Sequence, residues 1–182
     1  EVITVAEDDD TVVFTGFVDR PEVVVDCTTS FLEPPQHVLA IGWSDLGPAV
    51  LAELDEYLAA GSTVDVVLDP QVLLRAGTWE GPHSLVPPLP DTVNCTVTVM
   101  PLAGGPEELM EIARQPYDQA IVLGYRGDIK VGESDARTML TLLLLAKAWP
   151  PGTGGPRIVA EVLDRTNVAV AETTGAEDFI VS

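Results

Sequence analysis

Residues 37–47, HVLAIGWSDLG, constrain the fold more than any other stretch. An apolar run ends at Gly42, and a helical pattern opens a few residues later. A strand that passes through a tight glycine turn into a helix is the opening unit of an open α/β sheet, and ligands dock in the crevice beside such a turn. Whether the chain is built this way depends on the residues downstream of Gly47.

The pattern repeats there. Residues 38–41 form a continuous apolar run of the kind buried on both faces of a parallel sheet. Leu46, Val50, Leu54 and Leu58 then recur every four residues, with Glu53, Asp55 and Glu56 expected on the outer faces. Pro48 suits a first helical turn, and Gly61 a helix stop. Residues 63–68 read as the second strand. Residues 70–91, with four prolines between 82 and 90, read as a long loop after at most one helical turn. Trp79 and His83 lie in that loop. Residues 92–100 alternate and predict the third strand, with Val93, Cys95, Val97 and Val99 on one face. Residues 107–114 predict a helix and 118–124 the fourth strand. A helix over 135–147 comes next, capped by Ser134 or Glu133. Residues 157–163 read as the fifth strand, 167–172 as a short helix and 178–181 as the sixth strand. The order implies an α/β fold, a Rossmann-like, doubly wound parallel sheet of about six strands over residues 36–182.

Residues 1–35 differ. Two β-prone runs flank the acidic block Glu7, Asp8, Asp9 and Asp10, and Pro34-Pro35 ends the segment. This reads as a β-rich lead-in from a preceding domain. The block lacks the ligand spacing and turn glycine of an EF-hand loop, so a solvated turn is expected.

Charge narrows the function. The chain carries 29 acidic and 9 basic side chains, a net of −20. Such a surface repels phosphate backbones, so no nucleic-acid partner is expected. The two cysteines, Cys27 and Cys95, form neither a metal-ligand spacing nor a disulfide framework, which fits a reducing compartment. The longest apolar run, residues 139–146, is far short of the about 20 residues a membrane span needs. The chain begins at Glu1 without a Met, and a longer parent product is expected.

Chemistry at the turn is reduced. A dinucleotide fingerprint needs GxGxxG. Here Gly42 and Gly47 hold the outer positions, but Ser44 replaces the middle glycine that lets a pyrophosphate approach. Asp45 opposes a phosphate there. Asp69 ends the second strand, where a ribose-binding carboxylate would sit. Gly42, Ser44, Gly47 and Asp69 are therefore the candidate residues of a degenerate nucleotide site, with an NAD(P)-dependent oxidoreductase as the alternative function. Asp128, Glu161 and Asp164 stand near later strand ends and are candidate ligands for a hard cation such as Ca²⁺ or Mg²⁺. Pairing with Arg126, Arg137 and Arg165 is the competing expectation. With two histidines and no nucleophile-base set, no catalytic residues are identified and no enzyme activity is expected.

The helix over 135–147, DARTMLTLLLLAK, is apolar almost all round. A helix on a sheet needs one apolar stripe. A second copy of the chain, or another part of the same product, must cover the rest.

Three segments carry a family resemblance: VLAIGWSDLGPAVLAELDEYLAAGSTVDVV, SDARTMLTLLLLAKA and PRIVAEVLDRTNVAVA. Together they resemble the second regulatory domain of Castor/Pollux-type ion channels, and EVITVAEDDDTVV is similar to the segment preceding that domain in bacterial members. The resemblance implies an RCK-like (regulator of potassium conductance) Rossmann domain. It implies pairing into dimers, a larger gating ring in the full protein, and a membrane pore domain in the parent chain, with this part on the cytoplasmic face. The ligand it implies is Ca²⁺ or a nucleotide, and the helix from Asp135 matches one that packs at the dimer interface. No spanning segment or selectivity-filter sequence is present here, so the pore is expected elsewhere in the parent product.

Overall fold

The structure, a computed structural model, describes residues 34–76, 89–150, 152–174, 176 and 178–181. The acidic block, the β-rich lead-in up to residue 33, Trp79 and His83 lie outside the described residues.

Six strands form one sheet: β1 (His37–Ile41), β2 (Ser62–Leu68), β3 (Cys95–Pro101), β4 (Gln119–Val122), β5 (Arg157–Val162) and β6 (Asp178–Val181). Their order is β3-β2-β1-β4-β5-β6, and every pairing is parallel. This is the Rossmann-like, doubly wound sheet expected from the sequence. The helices are α1 (Gly47–Tyr57), α2 (Pro70–Ala76), α3 (Gly105–Ile112), α4 (Val131–Ala148) and α5 (Val168–Ala171), the last flanked by 3₁₀ turns at Arg165–Asn167 and Glu172–Thr174.

Period-two alternation splits the core into two layers. Val38, Ala40, Val64, Val66 and Leu68 pack with Leu51, Leu58, Val72 and Leu73 of the α1–α2 side. Leu39, Ile41, Val67, Ala120, Val122 and Ala160 pack with Leu109 of α3 and Leu142 and Leu145 of α4. Strands covered on both faces have no polar side to show, which is why they read as near-continuous apolar runs.

Five local expectations are corrected. Asp55 does not lie on the outer face of α1. The buried stripe is Gly47, Leu51 and Asp55, one position beyond the expected register. Asp55 is turned inward because its carboxylate collects three backbone N–H groups, from Val93 at 2.8 Å, Asn94 at 2.8 Å and Cys95 at 2.9 Å. Those bonds fix the start of β3, which accordingly begins at Cys95, later than expected. Neither Ser134 nor Glu133 caps α4. The helix starts at Val131 with Lys130 as N-cap, and Ser134 is buried inside its first turns. The Ser134 hydroxyl accepts the Tyr125 N–H at 2.9 Å, so it ties α4 to the end of β4. Residues 70–76 form two helical turns where at most one was expected. Asp69 explains this, since its Oδ1 accepts the Gln71 N–H at 2.9 Å and Pro70 has no N–H that would need an acceptor at the first position. The short helix expected at 167–172 is one turn of α-helix between two 3₁₀ turns.

Candidate functional site

β1 lies between β2 and β4, so the chain leaves β1 in opposite directions and a crevice opens at the strand C-termini. A cavity of about 150 Å³ sits there. Gly42, Asp69, Tyr125, Arg137, Leu140 and Thr141 are among its lining residues, with Ile41, Val67 and Val122 from the strand ends. Its lining is mostly apolar.

The glycine turn is built for packing. Gly42 has φ +90°, and a Cβ there would lie 2.1 Å from the Leu123 carbonyl oxygen. That close approach lets the backbone of β1 run on against β4, with the Leu123 N–H on the Ile41 carbonyl at 2.7 Å. At Gly47 a Cβ would meet the Trp43 ring at 2.7 Å. Trp43 is buried and folds its indole over the first turn of α1. Ser44 is buried too. Its Oγ accepts the Leu46 N–H at 3.2 Å, and its carbonyl accepts the Gly47 N–H at 3.0 Å. Pro48 has no N–H to offer. A pyrophosphate at a helix N-terminus is held by free backbone donors. Here Ser44 and Pro48 remove three successive ones.

Of the four residues expected to surround a nucleotide, the structure therefore brings two together. Gly42 and Asp69 share the cavity, while Ser44 and Gly47 belong to the turn's own packing. Asp69 is also engaged. Its Oδ2 accepts from Arg137 Nη1 at 3.1 Å, and its N–H donates to the Tyr125 hydroxyl at 2.8 Å. Burial pushes the Tyr125 phenol up to about 12, with the neighbouring Asp69 charge adding to the rise. It is a neutral group at physiological pH.

Arg137 also stands 3.7 Å from Glu133 through Nη2, and its buried Nε–H has no hydrogen-bond partner among the described residues. Of the arginines expected to pair with carboxylates at the strand ends, Arg137 does so.

Of the three candidate cation ligands, Glu161 and Asp164 bond to separate backbone segments. Glu161 is buried and accepts the Gly124 N–H at 2.9 Å. Asp164 caps the following 3₁₀ turn through the Thr166 N–H at 2.9 Å and hydroxyl at 2.7 Å, bonds that hold its carboxyl below the ordinary value. Asp128 sits in the turn after β4, its N–H 3.3 Å from the Tyr125 carbonyl. Among the described residues no three His, Cys, Asp or Glu side chains gather at a metal-sized site.

Sequence reasoning missed Asp135, a buried carboxylate on α4. It accepts the Leu163 N–H at 2.8 Å, the Asp164 N–H at 3.0 Å and the Asn167 side-chain amide at 2.7 Å. It also missed Tyr125 as part of the crevice; its position directly after the fourth apolar strand was the available signal.

No protein-family model and no curated protein matches the chain. Among solved structures, the human SLO3 gating ring is similar at a TM-score of 0.48 and 11% identity, over 80% of this chain and 24% of that one. The chain thus spans about a quarter of that chain's length.

Proposed function

We propose that this chain is a non-enzymatic regulatory domain of a cation channel of the Castor/Pollux type, an RCK-like gating-ring module on the cytoplasmic side of the membrane. The support for the channel family is the sequence resemblance of GWSDLGP, SDARTMLTLLLL and AEVLDRTN, spread in order along the chain.

The observation that carries the regulatory reading lies on α4. Leu142 and Leu145 are buried, whereas Leu140 and Leu143, one turn apart on the same helix, are 52% and 58% exposed. Leu140 and Leu143 lie with Ala136 and Lys147 on the exposed face of a helix whose other face is docked, and this apolar pair supports a reading in which that face meets a second copy of the chain. Leu140 also lines the crevice. One helix is thus both a wall of the ligand cavity and the assembly face. A ligand that fits one placement of α4 better than another biases how copies pair, by no more than its differential affinity for the two placements. The pore domain of the parent chain would receive that movement.

Sedimentation velocity tests the reading. The 182-residue chain is expected to dimerise, and Leu140→Glu with Leu143→Glu to leave it monomeric and folded. A wild-type chain that stays monomeric up to millimolar concentration sinks the proposal.

A further inference from the structure

The polar groups around the crevice are already committed to one another. Backbone N–H groups at the strand C-termini donate within the fold: Gly42 to the Val67 carbonyl at 2.8 Å, Leu123 to Ile41 at 2.7 Å, Leu102 to Leu68 at 2.7 Å, and Asp69 to the Tyr125 hydroxyl at 2.8 Å. At the start of α3, beside Gly105 and Pro106, the Ala103 and Gly104 N–H groups donate to Glu108 Oε2. A phosphate is held by free backbone donors, and these are spent.

The charges are closed as well. Asp69 accepts the Gln71 N–H through Oδ1 and Arg137 Nη1 through Oδ2, and Glu133 stands 3.7 Å from Nη2 of the same guanidinium. A cation would have to displace Arg137 from Asp69. An anion would meet two carboxylates.

What remains is apolar surface. Leu102, Val122, Leu140 and Leu144, with Ile41 and Val67, line the cavity. An ordered water needs several polar partners, and these walls offer few. We infer that the crevice binds a small, neutral, apolar molecule of about six non-hydrogen atoms between the strand ends and α4, since a mostly apolar cavity of about 150 Å³ accommodates a benzene-sized guest. An adenylate is several times larger. The inference deepens the regulatory reading and rests on it for one step only. Leu140 both lines the cavity and is exposed on the α4 face, so the guest acts on assembly through that residue.

Benzene is the probe, added to the ¹⁵N-labelled 182-residue chain and followed by amide shifts. Saturable shifts are expected at Gly42, Leu102, Val122 and Thr141. Benzoate and benzylammonium, which carry a charge on the same ring, are expected to bind at least about tenfold more weakly, because the cavity offers the charge no partner. Thr141→Phe and, independently, Leu102→Phe fill part of the space. Each, once its amide spectrum shows it folded, is expected to weaken benzene binding about tenfold. The inference is overturned if benzene gives no saturable shift, if either charged ring binds as tightly, or if a folded filled variant binds benzene like the parent. Shifts seen only in a monomeric Leu143→Glu variant, and not in the parent dimer, would show that a second copy fills the cavity. That result also overturns the inference and leaves the regulatory reading standing. Benzene binding to a parent chain that never dimerises would instead uphold the apolar site and remove the regulatory reading.

Discussion

Asp55 Oδ1 accepts the backbone N–H of Cys95 at 2.9 Å, across 40 residues of sequence. Helix α1 therefore sets where β3 begins. The same carboxylate takes the Val93 and Asn94 N–H groups, and the Asp55 carbonyl accepts the Asn94 side-chain amide at 2.7 Å.

That arrangement makes stability depend on acid. The Val93 N–H bond, with help from Cys95 and Asn94 and against the cost of burial, holds the Asp55 carboxyl below its ordinary 3.8. The unfolded chain therefore binds this proton more readily than the folded one. The contribution is complete above the unfolded value and is lost as pH falls through the folded one. Asp55→Asn turns a donor toward three donors, so its urea midpoint at pH 7 is expected to fall below that of the parent. The gap should shrink when both are measured at pH 3. A constant gap would show that the ionised form is not what matters.

Cys95 is a buried free thiol whose pKa is pushed up to about 11, first by burial and then by Asp55. At pH 8 its thiolate fraction is about a hundredfold below that of a free cysteine. In a Cys27→Ser background, iodoacetamide is expected to label Cys95 slowly in the folded chain and rapidly in urea. Fast labelling of the folded chain would contradict the buried placement.

Gly42 is expected to tolerate no side chain. Gly42→Ala combines positive φ with a Cβ 2.1 Å from the Leu123 oxygen, and should cost about 2–4 kcal/mol. Gly127 has φ +79° but nothing within 4 Å of the added Cβ, so Gly127→Ala should cost only about 1 kcal/mol. Urea unfolding of both variants separates the clash from the backbone strain. Equal losses would show that the approach to Leu123 relaxes freely.

Tyr125→Phe removes the acceptor for the Asp69 N–H and should cost about 1 kcal/mol at pH 7. The raised phenol pKa means that the neutral form belongs to the fold. Its contribution is complete below the unfolded value near 10 and is lost as pH rises through the folded one. The difference between parent and variant, measured by urea midpoint, should therefore narrow in strong alkali. A gap that persists there would place the loss in packing and not in the hydroxyl.

The crevice is only partly legible in the sequence. Gly42 and Asp69 can be placed beside it because a glycine ending one strand and an acid ending the next mark the switch point in any such sheet. Spacing makes Ser44 and Gly47 look like ligand contacts, because it does not show that Trp43 folds back over the turn. Arg137 is visible only as a charge. Its partner Asp69 is 68 residues away, and only the crossover from β4 to α4 brings the two within 3.1 Å.

The sequence by itself determined the sheet. Residues 38–41, 66–68 and 120–123 are apolar without a break because strands buried on both faces have no other option, and the glycine turn after β1 orders them into a doubly wound fold. Only the tertiary structure decided what the polar residues do. Asp55, Asp135 and Glu161 are acidic in the sequence and would be solvated if the chain were extended. In the fold each is buried and bonded to backbone N–H groups that arrive from 28 or more residues away. A hydrophobic side chain has one favourable destination, the core, and its pattern reveals it. A carboxylate has several, and the choice is made by the donor the fold brings opposite.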